Sequence, residues 1–473
     1  MTTVPIPAMD AAWLYVEKKA APAHFGPLLF MRCPEGEPDF VQTLSTHWRR
    51  HRQFAPPFNY CLADSLVPRW QVLADSELDM EYHFRHSALP APGGEQELGI
   101  LVSRLHSQPL DRSRPLWQCY LIEGLAGNRF AIYLKLHHAQ IDGMGAAKLM
   151  ARCFTTDPAA RNMAPPWSVG PRGARTESVK PNPRDKPRPK LTELLGSGAR
   201  QVNQVSTALR TLSLQAYLKR KHDLYAPYQG PKSVLNARIS LHRRYATQRF
   251  ALADLKAVAK AGDAKVNDVF LAVIGGALRR YLLEFALLPR LSLVGQIPVN
   301  IRPADDDGLG NALSFAYAPL GTDIADPVER LRAVERSTAS SKVLQSHMGR
   351  DALQAYTAIV LAPYITEAVL NLGGHFRPAA NLVISNIQGP DKWLYFNGAK
   401  VEHIYGPSVL FHGQALNITL ASYVDEVNIG FTACRDRLPS MQKIAVYTGE
   451  ELTLLARQLK CSLPSAKEKA TKS

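Results

Sequence analysis

The chain has no paired cysteines. Its six, Cys33, Cys61, Cys119, Cys153, Cys434 and Cys461, stand singly, with no CxxC among them. Neither a zinc module nor a disulfide framework is suggested, and a reducing compartment fits. No run of about 18 uninterrupted apolar residues occurs, so no transmembrane helix is expected. The nearest approach is AYTAIVLAPYITEAVLNLGG, Ala355 to Gly374, which holds Pro363 and Glu367. It reads as a buried helix or helix pair, as the wall of a fatty-substrate site, or as a surface that dips into a membrane. The opening MTTVPIPAMDAAWLYVEKK lacks the basic run and long apolar core of a secretion signal. Nothing resembles a zinc finger or an RRM motif, and nucleic acid is not expected as a partner. A GxSxG elbow and a serine-histidine-acid signature are both missing, which argues against a covalent acyl-enzyme.

What is present is a long, basic, globular sequence. Its 473 residues exceed one ordinary core, so two domains are expected. Hydrophobic content of 46% and charged content of 21% are those of a globular protein. The net charge of +15 favours anionic partners such as acidic lipid or a polyphosphate. A proline-rich and basic stretch, PPWSVGPRGARTESVKPNPRDKPRPK, disfavours helix and sheet and reads as a crossover. A helical stretch with the basic cluster LKRKHDLY follows it; such a helix is a solvated face or lies on a membrane. The expected division is a first domain at 1–165, a crossover and helix at 166–224, and a second domain at 225–473. In the second part, VNDVFLAVIGGALRRYLLEF has helical spacing, with Asn267 or Asp268 as its cap. LSLVGQIPVNIR, NALSFAYAPL, NLVISNIQG, ALNITLASY and EVNIGFTAC read as strands. Helices and strands mix in both parts, so the fold class is α/β.

The segment LKLHHAQIDGMGA, Leu134 to Ala146, carries the chemistry-bearing residues. Phe130, Ile132, Leu134 and Leu136 share one face of a strand, and Ala131, Tyr133 and Lys135 share the other. Continuing the count turns His138 to the apolar, inward face and His137 elsewhere. A histidine in an apolar setting stays neutral near pH 7, as a general base must. Asp142 and Gly143 supply a turn, after which AAKLMARCF resumes as helix. Three readings follow: a metal site, a strand-to-turn junction with local hydrogen bonds, or acid-base catalysis. Adjacent histidines on a strand project to opposite faces, which disfavours the metal.

HHAQIDG matches the HHxxxDG signature of chloramphenicol acetyltransferase-like acyltransferases and peptide-synthetase condensation domains. MDAAWLYVE, HFRHSALPAPGGEQEL, LDRSRPLWQ, VNDVFLAVIGGALRRYL, NIRP and SNIQGP accompany it in that order. Together they resemble the bacterial wax ester synthase/diacylglycerol acyltransferase family over nearly the whole chain. The departures are GDAKVND, where a threonine often precedes the valine, and SNIQGP, where SNVPGP is usual.

The resemblance implies two chloramphenicol acetyltransferase-like domains with mixed sheets, flanking helices and an active-site channel between them. It implies transfer of a fatty acyl group from acyl-CoA, a substrate, to a long-chain alcohol or a diacylglycerol. No further cofactor is implied. His138 becomes the general base, with His137 in support. Attack is expected to be direct, in a ternary complex. Asp142 is expected to form a structural ion pair with Arg302, and Gly143 to leave room beside the base. Asn267 is expected to meet an oxyanion or substrate, or to cap its helix; Asp268 has the same substrate and capping alternatives. Ser385, Asn386, Gly389 and Pro390 are expected to shape the channel. Insoluble products imply a cytoplasmic enzyme held peripherally at the inner membrane or at lipid inclusions. The rival readings are a condensation-type enzyme taking a carrier-protein thioester and an inactive lipid-droplet binding protein.

Overall fold

In the computed structural model, the described residues are 2–170, 206–207, 210, 225–300, 313–346 and 350–465. Most of the expected crossover, and Arg302, lie outside them. Two mixed sheets organise the chain. The first orders strands Tyr395–Phe396, Ala399–Tyr405, Leu28–Arg32, Arg129–His137, Trp117–Leu125 and Phe84–Ala88, with His24–Phe25 pairing to the end of Arg129–His137. The second orders Leu313–Pro319, Val294–Asn300, Leu382–Gln388, Leu416–Tyr423, Glu426–Cys434 and Arg243–Ala251. Three short strands, Thr3–Pro5, Arg69–Val72 and Tyr60–Leu62, form a small third sheet. All five strands expected in the second part are present within the quoted segments. Two strands from that part, Tyr395–Phe396 and Ala399–Tyr405, nevertheless complete the first sheet.

Alternation in Arg129–His137 separates two cores rather than core from solvent. Phe130, Ile132, Leu134 and Leu136 pack with Trp117, Leu149 and Met150, while Ala131 and Tyr133 pack with Leu98 and Val102. Lys135, on the second face, is therefore wholly buried. Its ammonium donates to the Leu105 carbonyl at 3.0 Å and to the Gln108 carbonyl. Those acceptors lie at the C-terminal end of helix Glu95–Ser107, where carbonyls lack helical partners and a cation is favoured. Burial pulls the Lys135 pKa down to about 7. The residue pins the histidine strand to a helix end.

The long helix Val266–Phe285 runs through the second core. The N-cap position is Lys265, not Asn267 or Asp268, but the Asp268 side chain supplies a capping bond: it accepts the Lys265 backbone N–H at 3.1 Å, and the Thr338 hydroxyl at 2.7 Å.

Lys135→Met should lower the thermal midpoint, because two buried carbonyls lose their donor at about 1–3 kcal/mol. Calorimetry of the variant beside the wild type measures it; an unchanged midpoint would show that Lys135 does not pin the strand.

Candidate active site

The strand Arg129–His137 delivers two adjacent histidines to opposite environments. His138 follows the strand and lines a cavity of about 310 Å³ between the two sheets. His137 does not line it. The His138 ring lies between two aromatics. Trp13 stacks on one side, with centroids 4.1 Å apart and planes 13° apart. Phe25 stacks at 4.1 Å and 27°. Burial, then the neighbouring His137, bring the His138 pKa down to about 3. The imidazole is neutral throughout the physiological range and available to accept a proton.

His137 is held from behind. Its Nδ1 accepts the Ala139 N–H at 3.0 Å, which places the ring proton on Nε2. Nε2 faces the Glu17 carboxylate at 3.4 Å. Glu17 also accepts the Ala23 N–H at 2.9 Å and the Arg112 guanidinium at 2.6 Å. Burial pushes the Glu17 carboxyl up, but His137, the Ala23 N–H and Arg112 outweigh it and bring the pKa down to about 2. The Ala23 carbonyl in turn accepts the His138 N–H at 2.9 Å. Glu17 is thus bonded, through one residue, to the backbone of the cavity histidine.

Trp13 and Glu17 come from one place. Helix Ala8–Val16 carries Trp13, and Glu17 is its C-cap, donating its N–H to the Trp13 carbonyl. At a spacing of four the two side chains share a face. Neither was singled out by sequence reasoning, although both lie in MDAAWLYVE. The available signal was an aromatic and an acid four apart on a short helix. Gly26 completes the arrangement: a Cβ there would lie 1.7 Å from the Leu134 carbonyl oxygen. Only glycine lets the Phe25 segment pass so close to the histidine strand.

The remaining expected residues divide. Asp142 is buried and caps helix Gly143–Cys153, its Oδ1 accepting the Gly145 N–H at 2.6 Å. Its expected partner Arg302 lies outside the described residues. Gly143 lines the cavity, but a Cβ there would meet only Ile387, at 3.8 Å, so packing alone does not demand glycine. Ser385, Asn386, Gly389 and Pro390 all line the cavity. Gly389 is needed, because a Cβ would lie 2.2 Å from the Ser422 carbonyl oxygen. Asn267 and Asp268 do not line it; Asp268 is committed to its own helix turn.

The cavity wall is mainly apolar, with two hydrogen-bonded polar chains; in one, Thr419 donates to Asn417, whose amide donates to the Val409 carbonyl. In the other, the Tyr364 hydroxyl donates to Gln414 Oε1 at 3.2 Å, and Gln414 Nε2 donates to Gln296 Oε1 at 3.2 Å. All three residues line the cavity. No sequence signal marked the two glutamines. Among the described residues, no group of three or more His, Cys, Asp or Glu could hold a metal ion.

Comparisons with known proteins place this site in a family. The wax ester synthase/diacylglycerol acyltransferase catalytic-domain model matches residues 6–270, and the C-terminal-domain model of the same family matches 309–456. A putative diacylglycerol O-acyltransferase of Mycobacterium tuberculosis is 39% identical, over 94% of this chain and 96% of that protein. The O-acyltransferase WSD of Acinetobacter baylyi is 38% identical, over 95% of this chain and 96% of its own length. Among solved structures, the wax ester synthase/diacylglycerol acyltransferase from Marinobacter aquaeolei VT8 superposes with a TM-score of 0.77 at 33% identity, covering 97% of this chain and 100% of that one. The first condensation domain of the calcium-dependent antibiotic synthetase shares the fold, with a TM-score of 0.58 at 15% identity, over 97% of each chain. The two-domain chloramphenicol acetyltransferase-like architecture follows from these matches, and with it the conclusion that this chain is an acyltransferase belonging to the wax ester synthase/diacylglycerol acyltransferase family.

Proposed function

We propose that the chain transfers a fatty acyl group from acyl-CoA to a long-chain alcohol or a diacylglycerol, with His138 as general base. The observation that carries this is a neutral, aromatic-sandwiched histidine in the wall of a largely apolar cavity between two acyltransferase-like domains. His138 accepts the hydroxyl proton as the alcohol oxygen attacks the thioester carbonyl carbon. The tetrahedral oxyanion collapses, the C–S bond breaks, and the CoA thiolate leaves with the proton from His138. Both substrates are present together, and no acyl-enzyme forms. A base of this kind contributes about 10² to 10⁴-fold; positioning and oxyanion stabilisation supply the rest.

His137 and Glu17 act as positioning residues, and Asp142 as a structural one that caps the helix after the histidines. Ser385, Asn386, Gly389 and Pro390 contact substrate. The lack of any described helix long and apolar enough to cross a membrane is compatible with peripheral attachment. We assign the enzyme to the cytoplasmic face of the inner membrane or to the surface of lipid inclusions, where its acceptors and products reside. A carrier-protein thioester is the alternative donor. Acyl-CoA offered with hexadecanol and diacylglycerol together, products separated, tests donor and acceptor at once; no ester from acyl-CoA would refute the assignment.

His138→Ala should reduce ester formation about 10² to 10⁴-fold, as followed by product release with acyl-CoA and hexadecanol. Activity at the wild-type rate would remove His138 as the base.

The pH dependence has a definite sign. The active form is the neutral imidazole, and its pKa near 3 puts the acid limb far below neutrality. A plot of log kcat/KM should therefore be flat between roughly pH 5 and 8, since that ratio reports the free enzyme. A limb near 6.5 that disappears in His138→Ala would contradict the burial-driven shift.

Glu17→Ala should lower kcat about tenfold or more with little change in the KM for acyl-CoA, as expected of lost orientation rather than lost binding. The variant should also lose about 1–3 kcal/mol of stability, because Ala23 and Arg112 lose their acceptor. Glu17→Asp should recover part of the rate. A loss confined to KM would show that Glu17 binds substrate instead.

A further inference from the structure

The helix Arg350–Val369 has two apolar faces. Leu361, Tyr364, Ile365 and Ala368 line the cavity. The opposite, exposed face carries Ala355, Ala358, Ile359, Ala362, Pro363, Thr366, Val369 and Leu370. That stripe holds no charged residue over four turns. The single charge between Ala355 and Leu370 is Glu367, which is half-buried off the stripe. An ordinary surface helix presents charged and polar residues to water on this side. The apolar surface continues beyond the helix end, where Leu372 and Phe376 are also exposed. Ile359 is 49% exposed, Leu370 60% and Phe376 57%, enough for each to bury much of its side chain against a partner.

Cations flank the tip of this surface. Arg238 donates to the Asn371 carbonyl at 2.8 Å, and Lys232 donates to the His375 carbonyl at 3.0 Å. Arg377 is exposed on the same turn and is anchored to the Gly230 carbonyl. An apolar wedge with a basic collar matches the layering of an acidic bilayer, acyl chains below and phosphates above. Cavity-lining residues lie beside the wedge. Met9, on the helix Ala8–Val16 that packs against Arg350–Val369, lines the cavity and is 48% exposed.

We infer that the stripe Ile359–Leu370 with Leu372 and Phe376 is the membrane-docking face, and that its occupant is the acyl-chain region of an anionic lipid monolayer. Acceptor lipid would then pass along the helix into the cavity without crossing water. This inference rests on the peripheral-attachment reading and names the surface that performs it.

Flotation of the full-length protein with phosphatidylcholine vesicles, with and without added phosphatidylglycerol, tests both levels. Wild type should float with the anionic vesicles, less so at high salt. The triple variant Ile359→Glu, Leu370→Glu, Phe376→Glu should partition at least about tenfold less. Its turnover of a short, water-soluble alcohol in vesicle-free buffer should match wild type. If the triple variant floats like wild type, the face is wrong and peripheral attachment stands. If wild type itself fails to float, attachment and face both fall. Should the triple variant not fold, Phe376→Trp replaces it: its added emission should shift to the blue on anionic vesicles, and an unmoved spectrum overturns the proposal.

Discussion

One half-buried carboxylate organises the histidine corner of the cavity. Glu17 gathers the His137 ring, the Ala23 N–H and the Arg112 guanidinium around itself. Each contact favours its charged form, and together they overcome the cost of burial. The folded-state pKa, about 2, lies below the ordinary value of 4.5. Its contribution to stability is therefore complete above pH 4.5 and is lost as pH falls through about 2. Across the working range the corner is locked by an ionised group. Because the Ala23 carbonyl receives the His138 N–H, the same lock fixes the backbone of the cavity histidine.

The environment of His138 involves a tension that the chemistry must resolve. Trp13 and Phe25 exclude water, so the imidazole is neutral and ready to accept a proton. The same exclusion penalises the imidazolium formed once it has accepted one. A base with a pKa near 3 is weak against an alcohol in isolation. In the proposed mechanism the thioester carbonyl acquires negative charge at the moment the ring becomes positive. Two opposite charges a few ångströms apart in a low-dielectric cavity attract far more strongly than in water. Desolvation thus weakens the base in the empty site and strengthens its pairing with the oxyanion in the transition state. That difference is the form of binding that accelerates a reaction. A water-exposed histidine would be the better base at rest and would gain less from the developing charge.

The sequence was informative where a local rule was enough. Alternation through Phe130, Ile132, Leu134 and Leu136 groups those residues on one face, and the cavity does receive His138 but not His137. Spacing located the helix at Val266–Phe285 and five strands of the second sheet. It failed where partners come from afar. The burial of Lys135 is not legible in the sequence, because nothing local shows that a helix end lies beneath it, thirty residues earlier in the chain. Asn267 and Asp268 admit both a substrate and a capping reading from the sequence; the Thr338 hydroxyl that engages Asp268 is seventy residues distant and carries no local signal. Glu17 lies at the end of MDAAWLYVE but its partners do not, and Gln296 and Gln414 carry no recognisable motif; their significance comes from what the fold brings beside them.

Strand exchange between the two parts of the chain sets how the cavity can work. Ala399–Tyr405 leaves the second sheet's region of sequence and pairs antiparallel with Leu28–Arg32. Just beyond it, the Pro407 carbonyl accepts the Gly26 N–H at 3.1 Å, and the Ser408 carbonyl contacts the His106 ring at 2.8 Å. These bonds tie the two parts together within a few residues of Phe25 and His138. Opening the cavity by parting the sheets would break a strand pairing and buried hydrogen bonds together, leaving polar groups unsatisfied. Entry by displacement of side chains at a cavity mouth breaks none of these. Met9 and the helix Arg350–Val369 contribute side chains to the cavity wall where helix Ala8–Val16 packs against that helix. A fixed floor carrying His138 beside a largely apolar wall would hold the reacting atoms of the proposed transfer closely.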